Sequence, residues 1–290
     1  MQRSTLGILL CMGSMLSFAV QDIITKIILT GGIPLGQLLT VRYASFALFA
    51  VIAAGGVAGT LQALRSSAPK MQIGRASLSM LEIALINFSF VLMPIAKAHS
   101  IVALFPLIAL VMAWFILKEQ FKPAHLVAVL LGFAGTLFIV RPTDAGFDAD
   151  LLYPLAGATA LASYAIASKY LSARDKMRTH LVYLGLVGFL IALPFGIANW
   201  QSTSLQQWGL LALVSLMNIA SQLLFIRAMD FADAATLQPF NYTLLLFATL
   251  AALLILQEVP SSHTLIGGAL IVVGGLITMI KRPKVAGKLA

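Results

Sequence analysis

Apolar positions run in long stretches of close to 20 residues, and polar or turn residues gather in short breaks between them. As a helix, rising about 1.5 Å per residue, such a stretch reaches across a hydrocarbon core about 30 Å thick. Ten stretches can be marked, at 5–28, 35–56, 74–95, 99–117, 124–140, 151–170, 180–198, 208–228, 234–256 and 264–280. The breaks carry charge, glycine or proline, as at Gly31-Gly32-Ile33-Pro34, Lys118-Glu119-Gln120 and Arg141-Pro142. None is long enough for a soluble domain. Backbone polar groups in lipid need partners within their own segment, so the stretches are predicted helices. Strands of a membrane barrel would alternate polar and apolar, and these stretches do not. The expected fold class is an all-α polytopic membrane protein with ten transmembrane helices. The first stretch follows Arg3, and Ser17-Phe18-Ala19 resembles a cleavage site. It continues through Ile28, however, and is read as a retained helix.

Composition agrees with this class. The chain has 290 residues, 60% hydrophobic and 10% charged, against roughly 25% charged in a soluble domain. The net charge of +9 raises the question of nucleic acid. The basic residues form no patch interleaved with aromatics, so no nucleic-acid partner is expected. They sit between the apolar stretches, as orientation signals do. With the N-terminus inside the cell, fourteen Lys and Arg residues fall in cytoplasmic segments, Arg65, Lys70, Arg75, Arg174, Lys176 and Arg178 among them. Outside loops then hold only Lys97 and Arg141. Both termini are therefore expected in the cytoplasm, the last residues, 284–290, forming a basic tail. The lone Cys11 allows no internal disulfide. The four histidines are scattered, and no metal or cofactor is expected.

The chain repeats itself. Ile116-Leu117-Lys118-Glu119 matches Ile255-Leu256-Gln257-Glu258, and Lys26 aligns with Lys169 near the ends of spans one and six. Gly135 aligns with Gly274, and Ala96-Lys97-Ala98 resembles Ala232-Asp233-Ala234. Residues 1–141 and 150–283 thus read as duplicates. Five spans is an odd number, so the second copy is inverted in the membrane, an architecture of secondary transporters with a site near the midplane.

These pieces resemble the drug/metabolite transporter superfamily, in its ten-span, two-repeat EamA branch. The resemblance is carried by Ala96-Lys97-Ala98, Phe105-Pro106-Leu107 and Lys118-Glu119, and by 233–242 with Gln257-Glu258 in the second half. Ser17 to Lys26, Arg42 and Gln238-Pro239-Phe240-Asn241-Tyr242 are similar to bacterial members described as S-adenosylmethionine uptake carriers. Asn241 stands where such members often carry Arg. The resemblance implies a bacterial inner-membrane location, a central cavity, alternating access, and a small-molecule substrate such as an amino acid or a nucleoside-like compound.

Ionisable and polar residues inside the spans are the candidate site. Asp22 and Arg42 lie at similar depth on spans one and two, which are joined by a short loop, so a pair between them is expected. Lys26 is one turn beyond Asp22, on the same side. Glu82, with Asn87 beyond it, lies close to the midplane and suits proton coupling. Tyr164 on span six, and Asn218 and Gln222 on span eight, add hydrogen-bonding groups. Gln238, Asn241 and Tyr242 stand at i, i+3 and i+4 and share one helical face on span nine. His99 is read as a solvated loop histidine, and Glu119 and Glu258 as interface anchors or as salt-bridged to Lys118 or Lys122. Pro106 and Pro239 are expected to break their helices. Gly132, Gly135, Gly267 and Gly274 allow close packing, which assigns spans five and ten to scaffolding or to a homodimer face. The partners expected are a small-molecule substrate and the lipid bilayer.

Overall fold

The computed structural model describes residues 2–117, 123–140, 148–172, 174–232 and 234–280. Lys118-Glu119-Gln120, Arg141-Pro142, Asp233, the basic tail and the side chain of Gln238 lie outside the described residues. All regular structure described is helical. The first half holds α1 (Gln2–Thr30), α2 (Leu35–Ala54), α3 (Gly56–Ala63), α4 (Pro69–Leu92), α5 (Ile95–Val102), α6 (Phe105–Leu117) and α7 (Pro123–Val140). The second holds α8 (Leu152–Ser172), α9 (Met177–Ala198), α10 (Leu205–Phe231), α11 (Ala234–Leu237), α12 (Thr243–Leu256) and α13 (Ser262–Ile280). Eight helical segments are long and apolar enough to cross a membrane. Two shorter apolar stretches, His125–Ile139 and Ser262–Ile277, stand where the fifth and tenth spans are expected.

Two expected spans are broken. Span four is α5 followed by α6. Pro106 has no N–H to give to the carbonyl four residues back, so the turn tightens at Ala103-Leu104 and the helix restarts, with Leu107 N donating to Leu104 O at 2.9 Å. Span nine begins as the short α11, passes through a 3₁₀ turn over Gln238–Tyr242 containing Pro239, and continues as α12. An unexpected element is α3, which follows α2 directly. Gly55 and Gly56 take φ of 93° and 81°, a left-handed geometry that ends α2 and redirects the chain.

Helices that follow one another in sequence are not the main packing partners. The extensive interfaces join the two halves: α1 on α10, α4 on α8, α2 on α9, and α7 on α13. The pattern survives exchange of the halves. The first span of each packs on the third span of the other, the second on the second, and the fifth on the fifth. The α7–α13 seam is tight, because Gly135 and Gly267 face each other. A Cβ on either would lie 2.5 Å from the other's carbonyl oxygen. The glycines read as a scaffold or dimer face are therefore engaged within one chain.

Polar ties close the bundle at both ends. At one end the Gln37 side chain, at the start of α2, donates to Thr203 Oγ1 (2.7 Å) and Gln201 O (3.2 Å) and accepts from Gln201 N (3.1 Å) in the α9–α10 loop. At the other end Asp175, between α8 and α9, accepts from Ser66 Oγ (2.5 Å), Ser67 N (3.2 Å) and Gln72 Nε2 (2.7 Å). Burial pushes the Asp175 carboxyl up, but the hydrogen bonds from Gln72, Ser66 and Ser67 outweigh it and hold the group below its ordinary range.

A depressed folded-state pKa contributes stability that is present above the unfolded value and lost as pH falls through the folded one. Asp175→Asn should therefore lower the free energy of unfolding at neutral pH by up to about 1 kcal/mol. Variant and parent should converge as the pH is lowered below about 3. At the α7–α13 seam, Gly267→Leu should cost about 1–3 kcal/mol, because backbone has to move to admit the side chain. Unfolding of the purified protein in detergent reads both.

Candidate functional site

Stripes of polar residues and rings on the inner faces of several helices enclose a cavity of about 360 Å³ walled by both halves. On α1 the stripe is Met15, Phe18 and Asp22, on α4 Ser79, Glu82 and Ile86, and on α10 Asn218, Gln222 and Phe225. These spacings of three and four put the residues on one face of each helix. The broken spans contribute His99 and Phe105 from one half and Asn241 from the other.

Of the sequence-predicted residues, Asp22, Arg42, Glu82, Asn87, Tyr164, Asn218, Gln222 and Asn241 line this cavity. The expected Asp22–Arg42 pair is replaced by two others. Asp22 Oδ2 lies 2.9 Å from His99 Nε2, and Arg42 Nη2 donates to Asn218 Oδ1 at 3.0 Å. The reason is the packing. The expectation took α1 and α2 for neighbours, but α1 lies along α10 and α2 along α9. Each charge meets a partner across an interface, not across the connecting turn. His99, expected in solvent, is 6% exposed. Its ring also packs on Phe90, with centroids 5.4 Å apart.

Lys26 and Tyr242 stand away from the cavity. Lys26 is a turn nearer the end of α1, where Nζ meets Glu258 Oε1 at 2.5 Å and donates to Met93 O at 2.9 Å. Glu258 is bridged to Lys26, a lysine other than the two expected. Tyr242 is displaced by the 3₁₀ turn. At about three residues per turn, positions i and i+3 eclipse while i+4 swings roughly 120° away. Asn241 therefore faces the cavity. The Tyr242 ring borders a smaller side pocket of about 80 Å³, and its hydroxyl lies against Gly275 of α13, in space that a Cβ would take. The backbone of Gln238 opens the same turn.

Sequence reasoning missed Gln21, Tyr43, Ser79 and His99 as lining residues. Ser79 was reachable, three residues before Glu82 on the same face. Tyr43 was not, because helical periodicity points it away from Arg42, and only the wide cavity admits both. Arg75, counted among the loop charges, is 3% exposed inside α4. It donates to the Tyr164 hydroxyl at 3.1 Å and to His180 O at 2.9 Å. Its guanidinium carbon lies 5.2 Å from the Tyr164 ring centre, so it braces a ring that faces the cavity.

The cavity is rich in polar atoms that the protein itself does not satisfy. Among the described residues, Arg42 Nη1, Asn87 Nδ2, Tyr43 Oη and Gln21 Oε1 are buried without a protein hydrogen bond. Buried polar atoms are seldom left unpaired, and such atoms converging on one cavity mark a place for water or a ligand. Asp22 and Glu82 are the acidic neighbours of Arg42. The walls between these groups are apolar and aromatic, the usual make-up of a small-molecule site.

The EamA-like transporter family model matches residues 5–141 and again 150–280. An S-adenosylmethionine uptake transporter of Rickettsia prowazekii is 24% identical, over 77% of this chain and 76% of its own. A riboflavin transporter of Vibrio cholerae is 30% identical over 83% and 81%. A pseudopaline exporter of Pseudomonas aeruginosa is 24% identical over 92% and 93%. A solved crystal structure, 19% identical, superposes with a TM-score of 0.63 over 96% of each chain and shares the fold. The chain belongs to the EamA-like transporter family of the drug/metabolite transporter superfamily, and is a multi-pass membrane protein that transports a small molecule and not an enzyme.

Proposed function

We propose that this protein is a secondary transporter of the bacterial inner membrane, working by alternating access on a small zwitterionic or cationic, amphipathic metabolite. The observation that carries the reading is a single cavity walled by both halves, with the unsatisfied Arg42 Nη1 and the acidic Glu82 and Asp22 facing it among aromatic rings. Arg42 offers a charged donor to a carboxylate while Asn218 holds its other nitrogen. Glu82 and Asp22 suit a positive group. Tyr43 and Asn87 supply further donors, and Phe18, Phe46, Phe105 and Phe225 supply apolar contact. S-adenosylmethionine, for which some relatives are named, joins an amino-acid head, a sulfonium and a nucleoside, and falls within this class.

The topology in this reading is ten spans in two inverted repeats, with both termini in the cytoplasm. The exchange-symmetric packing of the halves supports the repeat. The basic residues Arg65, Lys70, Arg174, Lys176 and Arg178 lie in loops or first helical turns at the end of the bundle marked by Asp175, which supports that end as cytoplasmic. Lys97, in the first turn of α5, pairs at 3.2 Å with Asp148, just before the second half, as two residues at the outer end can. Glu82 is the carboxylate assigned to proton coupling, because it faces the cavity and among the described residues makes no ion pair.

The purified protein should be screened by thermal shift against amino acids, nucleosides, S-adenosylmethionine and riboflavin, and any hit taken to flux measurements in proteoliposomes. Arg42→Gln should weaken a carboxylate-bearing hit by roughly 10- to 100-fold, the worth of a charged hydrogen bond. Glu82→Gln should transport without response to a proton gradient. Flux that stays fully gradient-dependent in this variant removes Glu82 from coupling. A folded protein that moves no hit across the membrane overturns the reading.

A further inference from the structure

We propose that the small pocket between the broken spans four and nine is a second compartment of the transport site, and that it takes an unbranched apolar tail of the substrate, about three methylene-sized groups long. This rests on the reading above that a zwitterionic head is held in the central cavity.

The pocket lies where the two breaks face each other. The α5–α6 junction gives Ala103 and Pro106 to one wall, and the 3₁₀ turn and the first turn of α12 give Tyr242 and Leu245 to the other. The Tyr242 ring does not fill the space, because it lies back on α13. Its hydroxyl reaches the backbone of Gly275, where any Cβ would overlap it. Glycine at that position lets the ring lie back and leaves the pocket open.

The pocket adjoins the central cavity. His99, Phe105, Leu161 and Asn241 line both spaces and form the boundary between them. His99 Nε2 lies 2.9 Å from Asp22 Oδ2, so the mouth of the pocket begins one side chain away from a carboxylate that faces the head of the substrate. Phe105 and Leu161 are only half-buried, and apolar surface therefore still faces these spaces. Beyond the mouth the walls are Ala103, Pro106, Leu245 and the Tyr242 ring, which favour methylenes and give a charge no ionic partner. An apolar cavity of this kind stays dry and accepts apolar groups. Its volume of about 80 Å³, at roughly 30 Å³ for each water-sized group, has room for about three. The substrate class that fits both compartments is an amino-acid-like zwitterion with a linear apolar side chain. Leu245, which lines the pocket and not the central cavity, then sets the length of tail that is accepted.

The test uses the purified full chain in detergent and a series of amino acids with lengthening tails: L-alanine, L-2-aminobutyrate, L-norvaline, L-norleucine, L-2-aminoheptanoate and L-2-aminooctanoate. Affinity is read from the concentration dependence of thermal stabilisation. It should rise roughly fourfold per methylene over about three successive members and then stop rising. Leu245→Phe fills the pocket and should cut the whole rise to less than about fourfold. Leu245→Ala enlarges it and should extend the rise by about two members. Each variant decides the matter if the other fails to fold. Arg42→Gln should weaken every member by a common factor and leave the rise intact, because head and tail are bound apart. A rise that is absent, or that is the same in the parent and in a folded Leu245 variant, overturns the pocket and leaves the zwitterionic reading to stand on the Arg42 effect. A rise that follows Leu245 in a series that Arg42→Gln does not weaken supports the pocket and overturns Arg42 as the partner of the carboxylate. No stabilisation of the folded parent by any member overturns the zwitterionic reading, and the pocket with it.

Discussion

A guanidinium placed among apolar helices has to find its partners inside the protein, and Arg42 finds one across the boundary between the halves. Its hydrogen bond to Asn218 joins α2 to α10 at the level of the cavity. A charged side chain in the membrane interior is costly unless it faces the bundle interior and is paired. That requirement turns α2 inward and brings α10 beside it. The same logic places Asp22 against His99. The Arg42–Asn218 pair does not use up the guanidinium's hydrogen-bonding capacity, because one of its nitrogens remains without a protein partner. A pair of this kind specifies arrangement more than it adds stability, and here the arrangement leaves charge exposed to whatever enters the cavity.

The broken spans solve a related problem. An unbroken helix presents side chains only every three or four residues on a given face. Breaking span four at Leu104 and span nine at Gln238–Tyr242 lets a short segment turn independently of the rest. His99 is thereby buried against Asp22, and Asn241 is brought to the cavity while its neighbour Tyr242 packs on α13. The cost of a break is unsatisfied backbone, which inside a membrane must be met by protein. Helix starts raise the same demand, and at the start of α5 the Glu258 carboxylate meets it by accepting from Ile95 N. A residue that reads as a terminal anchor in sequence thus serves a helix in the other half.

The class, the helices and the breaks at proline were legible because each rests on a local property: length of apolar run, or a missing N–H. Most of the cavity residues were legible for the same reason, since a polar group inside an apolar run has few places to point. The pairings were not. Asp22 and Arg42 looked like partners because a short turn joins their helices, but in this bundle the large interfaces run between halves. Lys26 shared a face with Asp22 by periodicity, yet one turn of helix carried it beyond the cavity. Tyr242 was misplaced because the helical period was assumed through a 3₁₀ turn. His99 shows the limit most clearly, since nothing within ten residues of it signals that Asp22 is its partner. The errors at Asp22–Arg42 and His99 come from long-range contact, which local pattern does not encode, and those at Lys26 and Tyr242 from the depth and pitch of the helix that carries them.

The two halves share a frame and differ in chemistry, and the difference follows from what each interface has to do. Where α7 meets α13, Gly135 and Gly267 let the backbones approach, and the seam carries only packing. Repetition costs nothing there, and related glycines recur in both copies. At the cavity a strictly repeated site would place like charges opposite one another. Two copies of Arg42, or of Glu82, would repel across the same 360 Å³. The first half instead holds Asp22, Arg42 and Glu82, and the second answers with Tyr164, Asn218, Gln222 and Asn241. Neutral amides and a hydroxyl can orient buried charges without adding to the charge in the membrane. An asymmetric site in a symmetric frame is thus the arrangement that lets duplicated helices enclose one polar cavity.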